Sequence, residues 1–214
     1  MLTNDTGGVA LVLAYQDDAA EATRRADALL EKVASVANPS TIGWAHYFAG
    51  EVRLDSRPAE ALPMLRRALA EAERAGNRFL AGVTLASLVS LEARTDDSPA
   101  ALHRYAQLIT FWQQTGAWTQ LWIAIRSLIE ALERRGQLEP AAVLYGALTA
   151  SPHASPLAGA DATRLARVAG DLTTRLGQAT FDALRTEGKA MGDHSALSYA
   201  IGVLGGAPPN ATDA

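Results

Sequence analysis

Apolar residues recur every three or four positions along most of this chain, the spacing that turns one face of an α-helix toward a core. The clearest stripe is Leu121, Ile125, Leu128, Ile129 and Leu132. Read by this period, the chain predicts helices over about 18–37, 40–54, 59–75, 78–94, 99–115, 119–135 and 140–150. Three shorter helices follow over about 161–176, 178–190 and 194–204. Punctuation agrees with these bounds. Pro58, Pro99 and Pro140 fall where a first turn tolerates a missing N–H. Gly76, Gly116, Gly136, Gly177 and Gly192 fall where helices should stop. Asp18-Ala19-Ala20-Glu21 approximates a capping box, and Asp161 and Asp193 are read as N-caps. Pro63 leaves two readings open, a late start to the third helix or a bend within it.

A longer period lies over the helical one. The pattern Ala-x-x-x-large-x-x-apolar occurs at Ala22/Ala26/Leu29, Ala61/Leu65/Ala68, Ala101/Tyr105/Leu108 and Ala141/Tyr145/Leu148. Its leading alanines are separated by 39, 40 and 40 residues. A small residue there admits close approach of the other helix of the same hairpin, and the larger ones fill the gap to the next hairpin. A unit of this kind cannot bury its own apolar face, so it must stack. The expected fold is therefore all-α: a superhelix of stacked antiparallel hairpins that resembles tetratricopeptide repeats. Repeats should occupy 1–150, capping helices 151–204, and a disordered tail 205–214. Only Val9 to Tyr15 remains for the first helix of the first hairpin. This truncated repeat reads as the continuation of a longer array, so a fragment of a larger protein is expected; the other reading is a short helix that caps the stack.

Past the loop Ser151-Pro152-His153-Ala154-Ser155-Pro156 the repeat spacing ends. Ala142-Val143-Leu144-Tyr145-Gly146-Ala147 before it, and Leu176-Gly177-Gln178-Ala179-Thr180-Phe181 and Glu187-Gly188-Lys189-Ala190-Met191 after it, carry a resemblance, completed by Ala196, Leu197, Tyr199, Ala200 and Ile201. Together they resemble the C-terminal tetratricopeptide region of large bacterial signalling ATPases and transcriptional regulators, including LuxR-type and cyclase-linked members. The likeness covers roughly residues 40–204. It implies a sensor or scaffold arm. The ATP-binding module of that family does not occur here, since no G-x-x-x-x-G-K-[ST] run is present.

Charge and composition narrow the function further. The formal net charge of -4 gives no electrostatic footprint for a phosphate backbone, so direct nucleic-acid binding is not expected. The absence of cysteine removes disulfides, thiolate zinc sites and a thiol nucleophile. No run approaches the roughly 18 apolar residues of a membrane span, and Met1-Leu2-Thr3-Asn4-Asp5 has no basic n-region, so a cytoplasmic location is expected. Lys32 and Lys189 are the only lysines beside abundant arginine, a bias that suggests a GC-rich bacterial genome.

Candidate chemistry is sparse. His46, His103, His153 and His194 show no i, i+3 or i+4 pairing, so no metal and no cofactor is expected. Asp193-His194-Ser195 is consecutive rather than convergent, which is not how a triad works. The chain is not read as an enzyme. Between Phe111 and Trp122 lie Trp112, Trp118 and Trp122 beside Gln114 and Gln120. Trp112 and Trp122 read as core residues, or else Trp118 or Trp122 lines a groove for a peptide or sugar-like ligand. Counting back from the repeat alanines places His46, Arg53, Ser90, Arg94, Arg126 and Glu130 on the concave face. With Trp118 and Trp122 these are the candidate binding residues. The expected function is a non-catalytic protein-interaction or effector-sensing module of a bacterial regulator. It would bind a protein segment, another module of the same regulator or a small effector. The alternative is a structural scaffold that self-associates, as a homodimer for example, without a small ligand.

Overall fold

A computed structural model describes residues 7–10, 12, 18–94, 99–156 and 159–205; the side chains of 99–101 and 160 are outside the description. The described residues form helices joined by turns and loops, with no strand among them. After a helical turn at 7–10, the helices are α1 Ala19–Val33, α2 Pro39–Arg53, α3 Pro58–Arg74, α4 Arg78–Ala93 and α5 Pro99–Thr115. They continue as α6 Trp118–Arg134, α7 Leu138–Ala150, α8 Gly159–Leu176, α9 Gln178–Ala190 and α10 Asp193–Leu204. Neighbours in sequence pair in space: α2 packs on α1 and α3, and α6 on α5 and α7. The chain divides into two compact units, 1–91 and 92–214, with the division in the last turn of α4.

The ends of these helices follow from their residues. Asn38 caps α2 by accepting from Thr41 N–H (3.1 Å), and Asn77 does the same for Leu80 at the start of α4 (3.0 Å). Gly76, Gly116 and Gly136 take φ of 63°, 66° and 75°, a left-handed conformation that costs glycine nothing. At each, the next residue's N–H reaches five residues back, Asn77 to Ala72, Ala117 to Trp112 and Gln137 to Leu132. These are Schellman endings, and they satisfy carbonyls the helix leaves bare.

Four sequence expectations change. Helix α1 stops at Val33, not near 37. Helix α3 starts at Pro58 and runs through Pro63, so it does not start late. Gly192 has φ -74° and is the N-cap of α10, with Asp193 its first helical residue. Asp161 lies inside the first turn of α8, where its carboxylate pairs with arginines instead of capping. The expected box at Asp18 is half formed: Asp18 accepts from Glu21 N–H (3.2 Å), but the Glu21 carboxylate turns to Arg24 and Arg25. Of the expected first helix over Val9 to Tyr15, residues 9, 10 and 12 are described and helical, and the rest lies outside the described residues, as does the tail beyond Gly205.

The repeat positions form the core. Ala22, Ala26, Leu29, Ala61, Leu65, Ala68, Tyr105, Leu108, Ala141 and Leu148 are all buried, and Tyr145 is half-buried. Burial pushes the Tyr105 hydroxyl up to about 12, against a hydrogen bond with Ser127. In unit 1, α2 lies so close to α3 that a Cβ on Gly50 would strike the Leu65 side chain. In unit 2, α7 packs on α6, α8, α9 and α10 and is buried almost all round, as its continuous apolar sequence requires. Its crossing with α9 is the tightest. A Cβ on Gly146 would meet the Arg185 backbone, and one on Gly188 the Val143 backbone, each well inside the 3.0 Å that real Cβ atoms keep. Where the repeat spacing lapses, at residue 150, the packing does not: α8 to α10 close on α5, α6 and α7.

Long arginines join helix ends about forty residues apart. Arg134, at the end of α6, donates to the Ala93 carbonyl at the end of α4, 41 residues earlier. Arg175, near the end of α8, donates to the Glu133 carbonyl at the end of α6 (3.1 Å), 42 residues earlier. The forty-residue period read from alanines thus reappears in hydrogen bonds that cap exposed helix ends.

Candidate functional site

In unit 1 the candidate residues are His46 and Arg53 on α2 and Ser90 on α4. Arg53 is 3% exposed and does not face a groove. It donates to the Ala49 carbonyl (3.1 Å) and pairs with Asp27 of α1 and Glu60 of α3, tying three helices together. The reading that placed it on a wettable face is corrected: an arginine four residues past Ala49 lies on the buried side of α2. His46 is half-buried beside Arg67 and Glu71 of α3. Burial, and then the Arg67 guanidinium, holds its imidazole below the ordinary 6.5, while Glu71 opposes the shift. The folded chain therefore resists a proton that the unfolded chain accepts. The stability this gives is present above 6.5 and is lost as pH falls through the lowered folded value. Melting curves across pH should show the parent chain losing ground to His46→Gln on acidification below 6.5; parallel curves would refute this.

An aromatic group beside these residues escapes the sequence reading. Trp44 stacks on Phe48 (5.4 Å between centroids) and meets Tyr47 edge-on (5.6 Å). Phe79 of α4, 51% exposed, lies 6.3 Å from Trp44. The i, i+3, i+4 spacing of Trp44, Tyr47 and Phe48 is the signal that could have found it. Ser90, on α4, is half-buried.

Unit 2 holds the other candidates. Trp122 is 1% exposed, and with Trp112, Leu121 and Ile125 it belongs to the core. Of its two readings the core one holds, and its place among the groove residues is corrected. Trp118, one turn earlier on the same face of α6, is half-buried. The His153 ring stacks on it at 5.9 Å, and the His194 ring meets it edge-on at 4.8 Å. His153 Nδ1 in turn pairs with the Asp193 carboxylate. Two histidines far apart in the sequence thus converge on one tryptophan, and Asp193, beside one of them, holds the other. Separations of 35 residues or more, bridged by a proline-containing loop, hide such a cluster from any spacing rule. Among the described residues no group of three His, Asp or Glu side chains could hold a metal ion.

The remaining three candidates do come together. Arg126 and Glu130 stand in one polar cluster with Asp161 and Arg164 of α8, and the charges of Arg94 and Arg134 act on Glu130 as well. Arg126 and Arg164 share the Asp161 carboxylate, the former at 2.7 Å. Glu130 stands 3.7 Å from the Arg164 Nε. Arg126, Glu130 and Arg134 lie four residues apart along one stripe of α6. Burial drives the Glu130 carboxyl above its ordinary 4.5, even though Arg164, Arg94, Arg126 and Arg134 all pull the other way. A carboxylate this dehydrated has given up more hydration than four nearby guanidiniums return. Asp161 and Arg164 are hidden from the sequence reading because their helix follows the end of the repeat.

Compared with known proteins, the chain matches no family model, no curated protein and no solved structure.

Proposed function

We propose that this chain is a non-catalytic effector-sensing or protein-interaction module of a bacterial transcriptional or signalling regulator. It is cytoplasmic in this reading, and its helices wind as a tetratricopeptide-like superhelix. The observation that carries the proposal is the ionic cluster in which Arg126 and Glu130 of α6 meet Asp161 and Arg164 of α8. They come from the last repeat and the helix after it, and they build a polar, partly open cluster where stacked hairpins otherwise bury alanine and leucine. Dehydrated charge of this kind adds little to stability when hydrophobic packing could replace it. Its presence is better explained by recognition. The absence of any helix long and apolar enough to cross a membrane, among the described residues, is in keeping with the location. Partners would be a small effector, a protein segment or other modules of the same regulator. Signalling requires that the ligand favour one arrangement of the stack over another.

A second reading has its own observation. Val9 and Val12 are each about half exposed on the first helical turn. An apolar edge of this kind suits a structural scaffold that self-associates, giving a homodimer without a small ligand. Melting curves separate the two. A panel of cytosolic metabolites and short peptides should contain a ligand that raises the melting temperature in proportion to the logarithm of its concentration. If no ligand does so, and dilution alone lowers the melting temperature, the scaffold reading replaces the sensor.

A further inference from the structure

The loop over 151–156, between α7 and α8, is tied to two other helices of unit 2 through one side chain, His153. Its backbone N–H donates to the Ser151 hydroxyl (3.1 Å), which turns the loop back on itself. Its ring Nδ1 pairs with the Asp193 carboxylate, on the first residue of α10. The ring then lies on Trp118, the first residue of α6, with centroids 5.9 Å apart and planes 29° from parallel. A carboxylate thus stands at one edge of the imidazole and an indole along its face. The His153 side chain is 53% exposed, so solvent protons reach it freely. A proton on the ring turns the first contact into an ion pair and the second into a cation–π contact.

We infer that His153 is a pH-dependent clasp, which holds the 151–156 loop over the face of Trp118 firmly when its ring carries a proton and loosely when it does not. The clasp does not depend on the function proposed above. Histidine is the side chain that ordinarily changes charge between about pH 5 and 8. A neutral ring can still donate from Nδ1 to Asp193, but a charge-assisted bond is about twice as strong. An imidazole–carboxylate ion pair exists only between the ordinary ranges of its two groups, about pH 4 to 6.5. The extra hold is therefore present in that window, is lost as pH rises out of it, and is lost again when acid neutralises the carboxylate. Few other charges meet at this point. The first turn of α6, Trp118 to Leu121, carries none, and the loop carries none besides His153. Helix α10 brings Asp193 and His194, whose ring meets Trp118 edge-on at 4.8 Å. A proton on His194 has the same sign as one on His153 and opposes it. When the clasp loosens, one face of the half-buried Trp118 opens to solvent.

Denaturant unfolding of the full chain at about pH 5.5 and about pH 8 tests this. His153→Gln should raise the unfolding constant about threefold at the lower pH and leave it nearly unchanged at the higher, the scale of an exposed ion pair. Asp193→Asn should do the same, and the double variant should lose no more than either single one. His46 titrates alike in all these chains and cancels from the comparison. Made in a His194→Gln chain, His153→Gln should keep its full effect; its disappearance there would move the switch to His194 and overturn the proposal. A second readout follows the loop itself. Acrylamide quenching of Trp118, taken as the difference between the parent and a Trp118→Phe chain, should rise severalfold from the lower pH to the higher. In His153→Gln it should be high at both. A gap between parent and His153→Gln that is equal at the two pH values, or a Trp118 equally accessible at both, would show that no clasp exists.

Discussion

Gly188→Ala should cost about 3 kcal/mol of stability, although alanine is the better helix former by about 1 kcal/mol. The reason is the crossing of α7 on α9. A methyl group at Gly188 would lie against the Val143 carbonyl and the Ala147 amide, and one at Gly146 against the Arg185 carbonyl. Backbone cannot step aside as a side chain does, so the helices must part. Parting them opens the contact of Tyr145 with Phe181. Gly170 is the control. It lies in the middle of α8, and a methyl group there would meet nothing within 4 Å. Gly170→Ala should therefore gain up to about 1 kcal/mol. Denaturant unfolding followed by circular dichroism reads both. A Gly188→Ala chain as stable as its parent would show that α7 and α9 do not approach as described.

Trp122→Ala should cost about 3–5 kcal/mol, the usual range for removing a buried aromatic side chain. Its ring is 1% exposed, and the apolar cavity left by its removal would hold no water usefully. Trp118→Ala, one turn away, should cost only about 1 kcal/mol, the worth of its ring contacts with His153 and His194. Unfolding curves for the pair give a direct comparison. Equal losses would mean that Trp118 is as much a core residue as Trp122 and would remove it from any binding surface.

Helices are legible in the sequence because local rules decide them. The stops at Gly76, Gly116 and Gly136 depend on one residue's freedom at positive φ, and each lies where the period places it. The forty-residue repeat is legible too, since its alanines must be small wherever hairpins touch. Faces are harder. Counting along the repeat puts Arg53 on the wrong side of α2, because a slip of one residue turns a helix position by about 100°. The polar cluster is visible by halves: Arg94, Arg126 and Glu130 follow from the repeat, while Asp161 and Arg164 arrive on a helix outside it. Trp118 stands out in the sequence, yet its partners His153, Asp193 and His194 come from a loop and a distant helix. Gly146 and Gly188 enter through a family likeness, and only the crossing of their helices supplies a reason for them.

The capping arginines have a consequence for a chain made from its N-terminus onward. The last carbonyl of α4, at Ala93, receives its donor only when Arg134 has been added, 41 residues later. At ordinary rates of synthesis that is a wait of roughly 2–8 s. The end of α6 waits in the same way for Arg175. Each of these two helix ends therefore leaves the ribosome unfinished and is completed by a helix made after it. Growth of this kind proceeds like a zip, in which every tooth is held by the next.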